Sequence, residues 1–328
     1  MDSNRMPEGL DGHGDEGVER PKTLAEFNGQ SAAKQNLSVF VAAARMLGKP
    51  LDHVLFSGPP GVGKTTLSQI IAAELGVGFR AVAAPAIEKP ADIITALMGM
   101  EDREVLFIDE IHRLPAKAEE VLYSAMEDFR LDVIVGEPGQ GRLVPIPLPP
   151  FTLVGATTRP GSLSAPLRDR FGIPVRLELY TDEEMQAVIA RAAGKSGLEV
   201  DDGAVAEVAR RSRGTPRIGL RLLRRVRDFA VSEGRRTVTL EDADRALTRI
   251  GVDKEGLDES DRRYINVLRE RFRGGPVGLS TLASALGESP ETLENSVEPF
   301  LIKKGVIDRT PRGRVLSIKH GSGQGILL

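Results

Sequence analysis

The chain is 328 residues long, enough for two or three domains with cores of their own, since domains run to roughly 100–200 residues. Its formal charge of −3 gives no overall attraction to nucleic acid, so any such contact has to come from a local basic patch. The lack of cysteine excludes disulfides, thiolate metal sites and a cysteine nucleophile, and agrees with a cytoplasmic location.

Residues 1–18 are acidic and glycine-rich and read as a loose leader rather than a signal. No apolar run approaches the roughly 18–20 residues of a membrane span. A helix is predicted from Gln30 to Met46 by its apolar spacing, and "HVLFSG", His53 to Gly58, is a short buried strand. "GPPGVGKTT", Gly58 to Thr66, then matches the P-loop pattern between a strand and a helix, where the mechanism needs it. Gly58, Gly61 and Gly63 let backbone N–H groups close on phosphate, Lys64 neutralises the β and γ phosphates, and Thr65 is placed to ligate Mg²⁺.

"EVLFIDEI", Glu104 to Ile111, is a second buried strand. It ends on Asp109, which can hold the magnesium hydration shell, and Glu110, which can polarise the attacking water. The segment Leu131 to Phe151 reads as a hairpin with apolar Leu143, Val144 and Ile146 beyond a Gly/Pro turn. "FTLVGATT", Phe151 to Thr158, is a third strand, and spacing leaves Thr158 open between a γ-phosphate sensor and a strand-capping threonine. Strands alternating with helices predict an α/β fold with a parallel sheet covered on both faces. In "SAPLRDRFG", Arg168 and Arg170 stand two apart and do not share a facing, so one phosphate uses at most one of them; pairing of Asp169 with a neighbour at the surface is the other reading.

From about Thr181 the strands disappear and a small helical domain is predicted, up to a break near Val252 to Asp258. The remainder reads as a winged-helix module with a hairpin around Pro311 to Gly313. Lys303, Lys304, Arg309, Arg312, Arg314 and Lys319 face one acid, Asp308, and form the basic patch that net charge conceals. On such a hairpin they suit a duplex phosphate backbone, with sequence-independent, salt-dependent binding. With no aromatic in the hairpin, stacking on single strands is disfavoured. The predicted divisions are a leader at 1–18, a nucleotide-binding α/β domain at 19–180, a small helical domain at 181–254 and the winged-helix module at 255–328.

"GPPGVGKTT", "VLFIDEIHRL", "LPPFTLVGATTRPG", "APLRDRFGI", "RGTPRIGLRLLRRVRDFA" and "DRTPRGR" together resemble the RuvB family of AAA+ ATPases, motors of Holliday junction branch migration, over about residues 19–318. The resemblance implies an AAA+ P-loop core, a helical lid and a winged-helix head. It also implies a hexameric ring on duplex DNA, with a RuvA-type junction-binding partner and a RuvC-type resolvase. It assigns Gly61, Val62, Gly63, Lys64, Thr65 and Thr66 to ATP·Mg²⁺, Thr65 and Asp109 to the metal, and Asp109 with Glu110 to the Walker B pair. Thr158 becomes the first sensor, Arg217 the second, and Arg170 a finger reaching the neighbouring subunit's nucleotide. Glu19, Arg20 and Tyr180 line the base side, as does the turn Asp128, Phe129, Arg130; Arg309, Arg312 and Arg314 meet DNA; Val144 and Ile146 meet the partner. The chain departs from the family pattern at Glu19, Val62 and Pro290. Two other readings use the same motifs: another AAA+ machine, such as a clamp loader or remodeller, and an ATP-switched DNA-binding regulator.

Overall fold

The computed structural model of the chain describes residues 20–135, 142–195, 197 and 199–317. The first helix, α1 (Ser31–Leu47), stops at Gly48, whose left-handed φ of 62° suits glycine. There follow β1 (Val54–Ser57), α2 (Lys64–Leu75), β2 (Phe79–Ala83), α3 (Pro90–Met98), β3 (Val105–Asp109), α4 (Ala116–Asp128), β4 (Arg130–Val135), β5 (Arg142–Pro147), β6 (Thr152–Thr157), α5 (Ala165–Asp169) and β7 (Ile173–Arg176). Five of these strands form a parallel sheet in the order β2-β3-β6-β1-β7. The two edge strands escape the sequence reading for a physical reason. β2 is half-exposed along its length, and β7 carries Pro174, which cannot donate to a ladder and is tolerated at an edge.

Alternation along the strands divides the core in two. Val54, Phe56, Val105, Phe107, Val154 and Ala156 share one apolar cluster with α1 and α2. Leu55, Leu106, Ile108 and Leu153 share another with Ile93 and Leu97 of α3 and Leu122 of α4. The functional loops leave from the C-terminal ends of β1, β3 and β6, which lie side by side.

The next region holds α6 (Asp182–Ala193), β8 (Glu199–Val200), α7 (Asp202–Arg211), α8 (Pro216–Ser232), β9 (Thr237–Val238) and α9 (Leu240–Arg249). Strands do not disappear here as expected: β8 and β9 pair in parallel, a two-residue ladder too short to leave a periodic signal. Thr181 and Thr239 start α6 and α9 with capping boxes to Glu184 and Asp242. Met185, Ile189, Val208 and Leu222 of this region belong to the same apolar cluster as Val54 and Phe56 of the sheet.

The last region has α10 (Glu259–Asn266) continued by a π-helical turn at Val267–Arg271, then α11 (Leu279–Leu286) and α12 (Pro290–Thr292). A second π-helical turn, Leu293–Val297, leads into α13 (Glu298–Lys303) and the antiparallel pair β10 (Ile307–Thr310) and β11 (Gly313–Leu316). This is the expected winged helix, with a core of its own that includes Tyr264, Leu268, Leu282, Leu301 and Ile307. Polar contacts bind it to the rest. The buried Arg213 guanidinium meets Asp258 and Asp261 and lies over the Phe300 ring, 5.2 Å from its centroid. Lys303 Nζ donates to the Tyr180 carbonyl at 2.6 Å. The leader, Glu19 and Lys319 lie outside the described residues.

Candidate functional site

The P-loop follows β1 with Gly58, Gly61 and Gly63 all at positive φ, 145°, 80° and 107°. Space demands glycine as well: a Cβ at Gly61 would stand 2.9 Å from the side chains of Arg217 and Thr215, and one at Gly63 2.9 Å from Phe27. The loop delivers the chain into α2 at Lys64, so the helix N-terminus points its free N–H groups at whatever the loop holds. Lys64 is buried, and its ammonium donates to the carbonyls of Gly58 at 2.8 Å and Pro59 at 2.9 Å. Burial lowers its pKa to about 8, against the opposing pull of Glu110 and Asp109. An incoming phosphate would supply the missing counter-charge. Val62 is fully buried, so its side chain packs in the core while its carbonyl accepts from the Tyr180 hydroxyl.

At the end of β3, the Glu110 amide donates to Asp109 Oδ1 at 3.0 Å. Glu110 itself takes a left-handed φ of 51°, which breaks the strand. Its carboxylate accepts a hydrogen bond from Thr158 Oγ1 at 3.1 Å and lies 3.3 Å from His112 Nδ1, which is also 2.9 Å from Thr157 Oγ1. Burial lowers the His112 pKa and favours the neutral ring, although Glu110 pulls the other way. The pairing of His112 and Thr157 leaves no local signal in the sequence: the "IDEIHRL" segment contains the histidine, but its partner is distant in the chain.

Gly61, Gly63, Lys64, Thr65, Thr66, Asp109 and Glu110 line one cleft of about 300 Å³, which Arg20, Tyr180 and Arg217 close from the other side. The Arg217 amide donates to the Gly61 carbonyl at 3.4 Å, so the second helical region touches the loop directly. Tyr180 is buried with its hydroxyl donating to the Val62 carbonyl at 3.1 Å, and burial raises its pKa so that the phenol stays protonated. No cluster of three or more His, Asp or Glu residues capable of caging a metal occurs among the described residues. Thr65 and Asp109 fit a hard cation such as Mg²⁺, which typically takes few protein oxygens and completes its shell with water and phosphate.

Three groups of expected residues stand apart from the cleft in the single chain. Asp128, Phe129 and Arg130 do not line this cleft. Phe129 ends α4 in a left-handed turn and packs its ring 5.8 Å from that of Phe151, while Arg130 pairs with Asp128 at 3.2 Å and Asp132 at 3.4 Å. The turn belongs instead to the helix end that carries Glu127, the partner of Arg170 at 3.1 Å. Arg170, expected at a neighbouring subunit's nucleotide, also stands outside the cleft of its own chain: it lies over Tyr123, 4.4 Å from the ring centroid, and donates to the Pro166 carbonyl at 2.7 Å. Arg168 is exposed, with Nε 4.0 Å from Asp169.

Arg309 and Arg314 form the second group. Both are held by Glu298, which is fully buried: Arg309 Nε donates to it at 2.7 Å and Arg314 Nε at 3.0 Å, with the Tyr264 hydroxyl as a third donor at 3.0 Å. Both arginines fasten the hairpin to α13 through this carboxylate, while the Arg309 side chain stays 41% exposed and that of Arg314 only 15%. Arg312, at the hairpin tip, is exposed and has no ion pair among the described residues. Third, Ile146 packs against the second core cluster with Val133 instead of projecting, while Val144, opposite Val133 in the ladder, is half-buried.

Among the described residues no helix is long and apolar enough to cross a membrane. Three family models match consecutive stretches: the Holliday junction DNA helicase RuvB P-loop domain at residues 19–177, the RuvB AAA lid domain at 180–253 and the RuvB C-terminal winged helix domain at 254–321. The chain is 58% identical over 298 residues to the Holliday junction branch migration complex subunit RuvB of Paramagnetospirillum magneticum, covering 91% of this chain and 86% of that protein. It is 55% identical over 315 residues to the corresponding subunit of Gluconobacter oxydans, covering 96% and 89%. Among solved structures it is similar to the Thermotoga maritima RuvB Holliday junction branch migration motor, at 46% identity and a TM-score of 0.85, covering 92% of this chain and 96% of that one.

Proposed function

The chain belongs to the RuvB family, and on that premise we propose that its cleft hydrolyses ATP to drive duplex DNA through a ring of identical subunits, the branch-migration step at a Holliday junction. It is an ATP-dependent branch-migration motor with a P-loop ATPase domain. The observation that carries the residue assignment is the meeting of Lys64, Asp109, Glu110 and Arg217 around one cleft, with Thr158 hydrogen-bonded to Glu110.

In this reading the P-loop amides, the α2 N-terminus and Lys64 bind the triphosphate, and Lys64 exchanges its loop carbonyls for phosphate oxygens. Mg²⁺, held by Thr65 and Asp109, supplies charge neutralisation at the phosphates when bound. Glu110 accepts the proton of the attacking water, and Thr158 and His112 fix the direction of its carboxylate. Arg217 brings the lid onto the P-loop, and Tyr180 and Arg20 border the nucleotide.

Arg170 completes the site in trans, from a neighbouring copy in a hexameric ring; its place outside its own cleft supports this. The hairpin of β4 and β5, with Val144, meets a RuvA-type junction-binding partner, a RuvC-type resolvase acts on the same complex, and the assembly works in the cytoplasm. ATP-driven dissociation of a synthetic junction, measured with and without a RuvA-type protein, tests the reading; no dissociation in either case overturns it. For the hairpin, Val144→Ser should weaken partner pull-down, and unchanged capture removes that contact.

A further inference from the structure

Three consecutive residues leave the end of β6, and each binds a different part of the molecule. Thr157 Oγ1 meets His112, and Thr158 Oγ1 donates to Glu110. Arg159 reaches out of the ATPase domain: its Nη2 lies 3.7 Å from Glu291 Oε1 and 3.7 Å from Glu294 Oε2, on α12 and the π-helical turn that continues it. The turn is tightened by the Arg159 amide, which donates to Thr157 Oγ1 at 2.9 Å. Arg159 Nε is buried and has no hydrogen-bond partner, so this guanidinium is held less completely than its donors allow.

Glu294 looks the other way as well. Its Oε1 stands 3.8 Å from Arg309 Nη1 and 3.7 Å from Arg314 Nη2, and its carbonyl accepts from Arg309 Nη2 at 3.2 Å. The charge of Glu291 also reaches His112, the neighbour of Glu110. A continuous set of direct contacts therefore runs from Glu110 through Thr158, Arg159 and Glu294 to the hairpin that carries Arg312.

We propose that Arg159 is a coupling residue: its pairing with Glu291 and Glu294 links the occupancy of the nucleotide cleft to the grip of the head on duplex DNA. The proposal rests on the reading of the cleft as an ATP site and of the head as a duplex-binding element. Thr158 and Arg159 are adjacent in the chain, so a displacement of Thr158 towards a bound γ-phosphate moves the base of the Arg159 side chain. Contacts of 3.7 Å are looser than hydrogen bonds, and two carboxylates facing one guanidinium offer it alternative positions, so re-pairing at this junction meets little resistance. Coupling between two sites is reciprocal: the factor by which nucleotide changes duplex affinity equals the factor by which duplex changes nucleotide affinity.

The test is an anisotropy titration of the full chain with a labelled duplex, with and without a saturating, non-hydrolysable ATP analogue. The wild type is expected to show an affinity ratio of about fivefold or more. Arg159→Gln, and separately the pair Glu291→Gln with Glu294→Gln, should bring the ratio close to one, and combining all three should lower it no further. Arg159→Lys, which keeps a cation facing Glu291 and Glu294 and leaves the hairpin contacts of Glu294 in place, should retain part of the ratio, which a merely space-filling role for Arg159 would not explain. Arg159→Gln with the wild-type ratio overturns the proposal, as does a wild type that binds both ligands with a ratio of one. A wild type that fails to bind a fluorescent ATP analogue overturns the reading of the cleft, and the proposal with it.

Discussion

The nucleotide cleft and the hairpin of the head are both rich in charge, but they hold it differently. Around the cleft, the Lys64 ammonium rests on neutral carbonyls, and Glu110 is held by a hydroxyl and the ring of His112, whose buried site favours the neutral form. These are partners that a phosphate or a water can replace or share. In the hairpin, Arg309 and Arg314 share Glu298, a buried carboxylate with three donor residues of its own, and only Arg309 is substantially exposed. Such a charge is costly to bury and costly to uncover. The count of basic residues in a segment therefore says less about a binding surface than the location of their counter-charges.

Arg170→Ala gives the largest test of this contrast. If the finger acts on a neighbour's nucleotide, turnover falls by about 10³ to 10⁵, and mixing with Lys64→Ala subunits restores part of it; no recovery in confirmed mixed rings removes the trans assignment. Next, Glu298→Ala strands two arginines at the hairpin and should destabilise the head by about 3–5 kcal/mol, read by thermal melting, with affinity for an ATP analogue kept. A head that melts as before would mean that those arginines are available to ligands after all. Arg312→Ala should leave melting unchanged and reduce the salt slope of duplex binding by about one. If Arg309→Ala gave that signature instead, the division of labour in the hairpin would be reversed.

The smallest effect is one of pH. Burial raises the pKa of Asp261 to about 7 although Arg213 opposes it. The folded state then holds a proton that the unfolded chain releases near the ordinary aspartate pKa of about 3.9. This contribution is fully present below that value and is lost as pH rises through about 7. Wild-type melting should fall slightly between pH 6 and pH 8, by less in Asp261→Asn; an identical profile in the variant would locate the titration elsewhere.

What could be read from the sequence follows the reach of each interaction. The P-loop and the pair Asp109 and Glu110 were legible because strand, turn and helix lie within one short stretch and each residue's job is set by its neighbours. Glu298 was not, since nothing in "SVEPFLIKKG" marks a carboxylate as buried and its partners Tyr264, Arg309 and Arg314 come from three other elements. The half-buried ring of Phe129 packs edge-on against Phe151 and onto the second core cluster, a contact that only the folded chain reveals. The pair Thr157 and His112 depends on bringing β6 beside β3, a consequence of strand order that local pattern does not carry.

The apolar cluster that runs unbroken from Val54 and Phe56 of the sheet into Met185, Ile189 and Leu222 of the lid has a consequence for how the chain comes apart. Sheet and lid share one interior and should lose it in a single cooperative event. The head keeps its interior to itself and is the one part with the makings of an excisable module. Scanning calorimetry should then register two transitions where the family models count three units, and the cut that leaves every apolar interior whole lies before Leu257, at the cost of the Arg213 pairs with Asp258 and Asp261, not between sheet and lid.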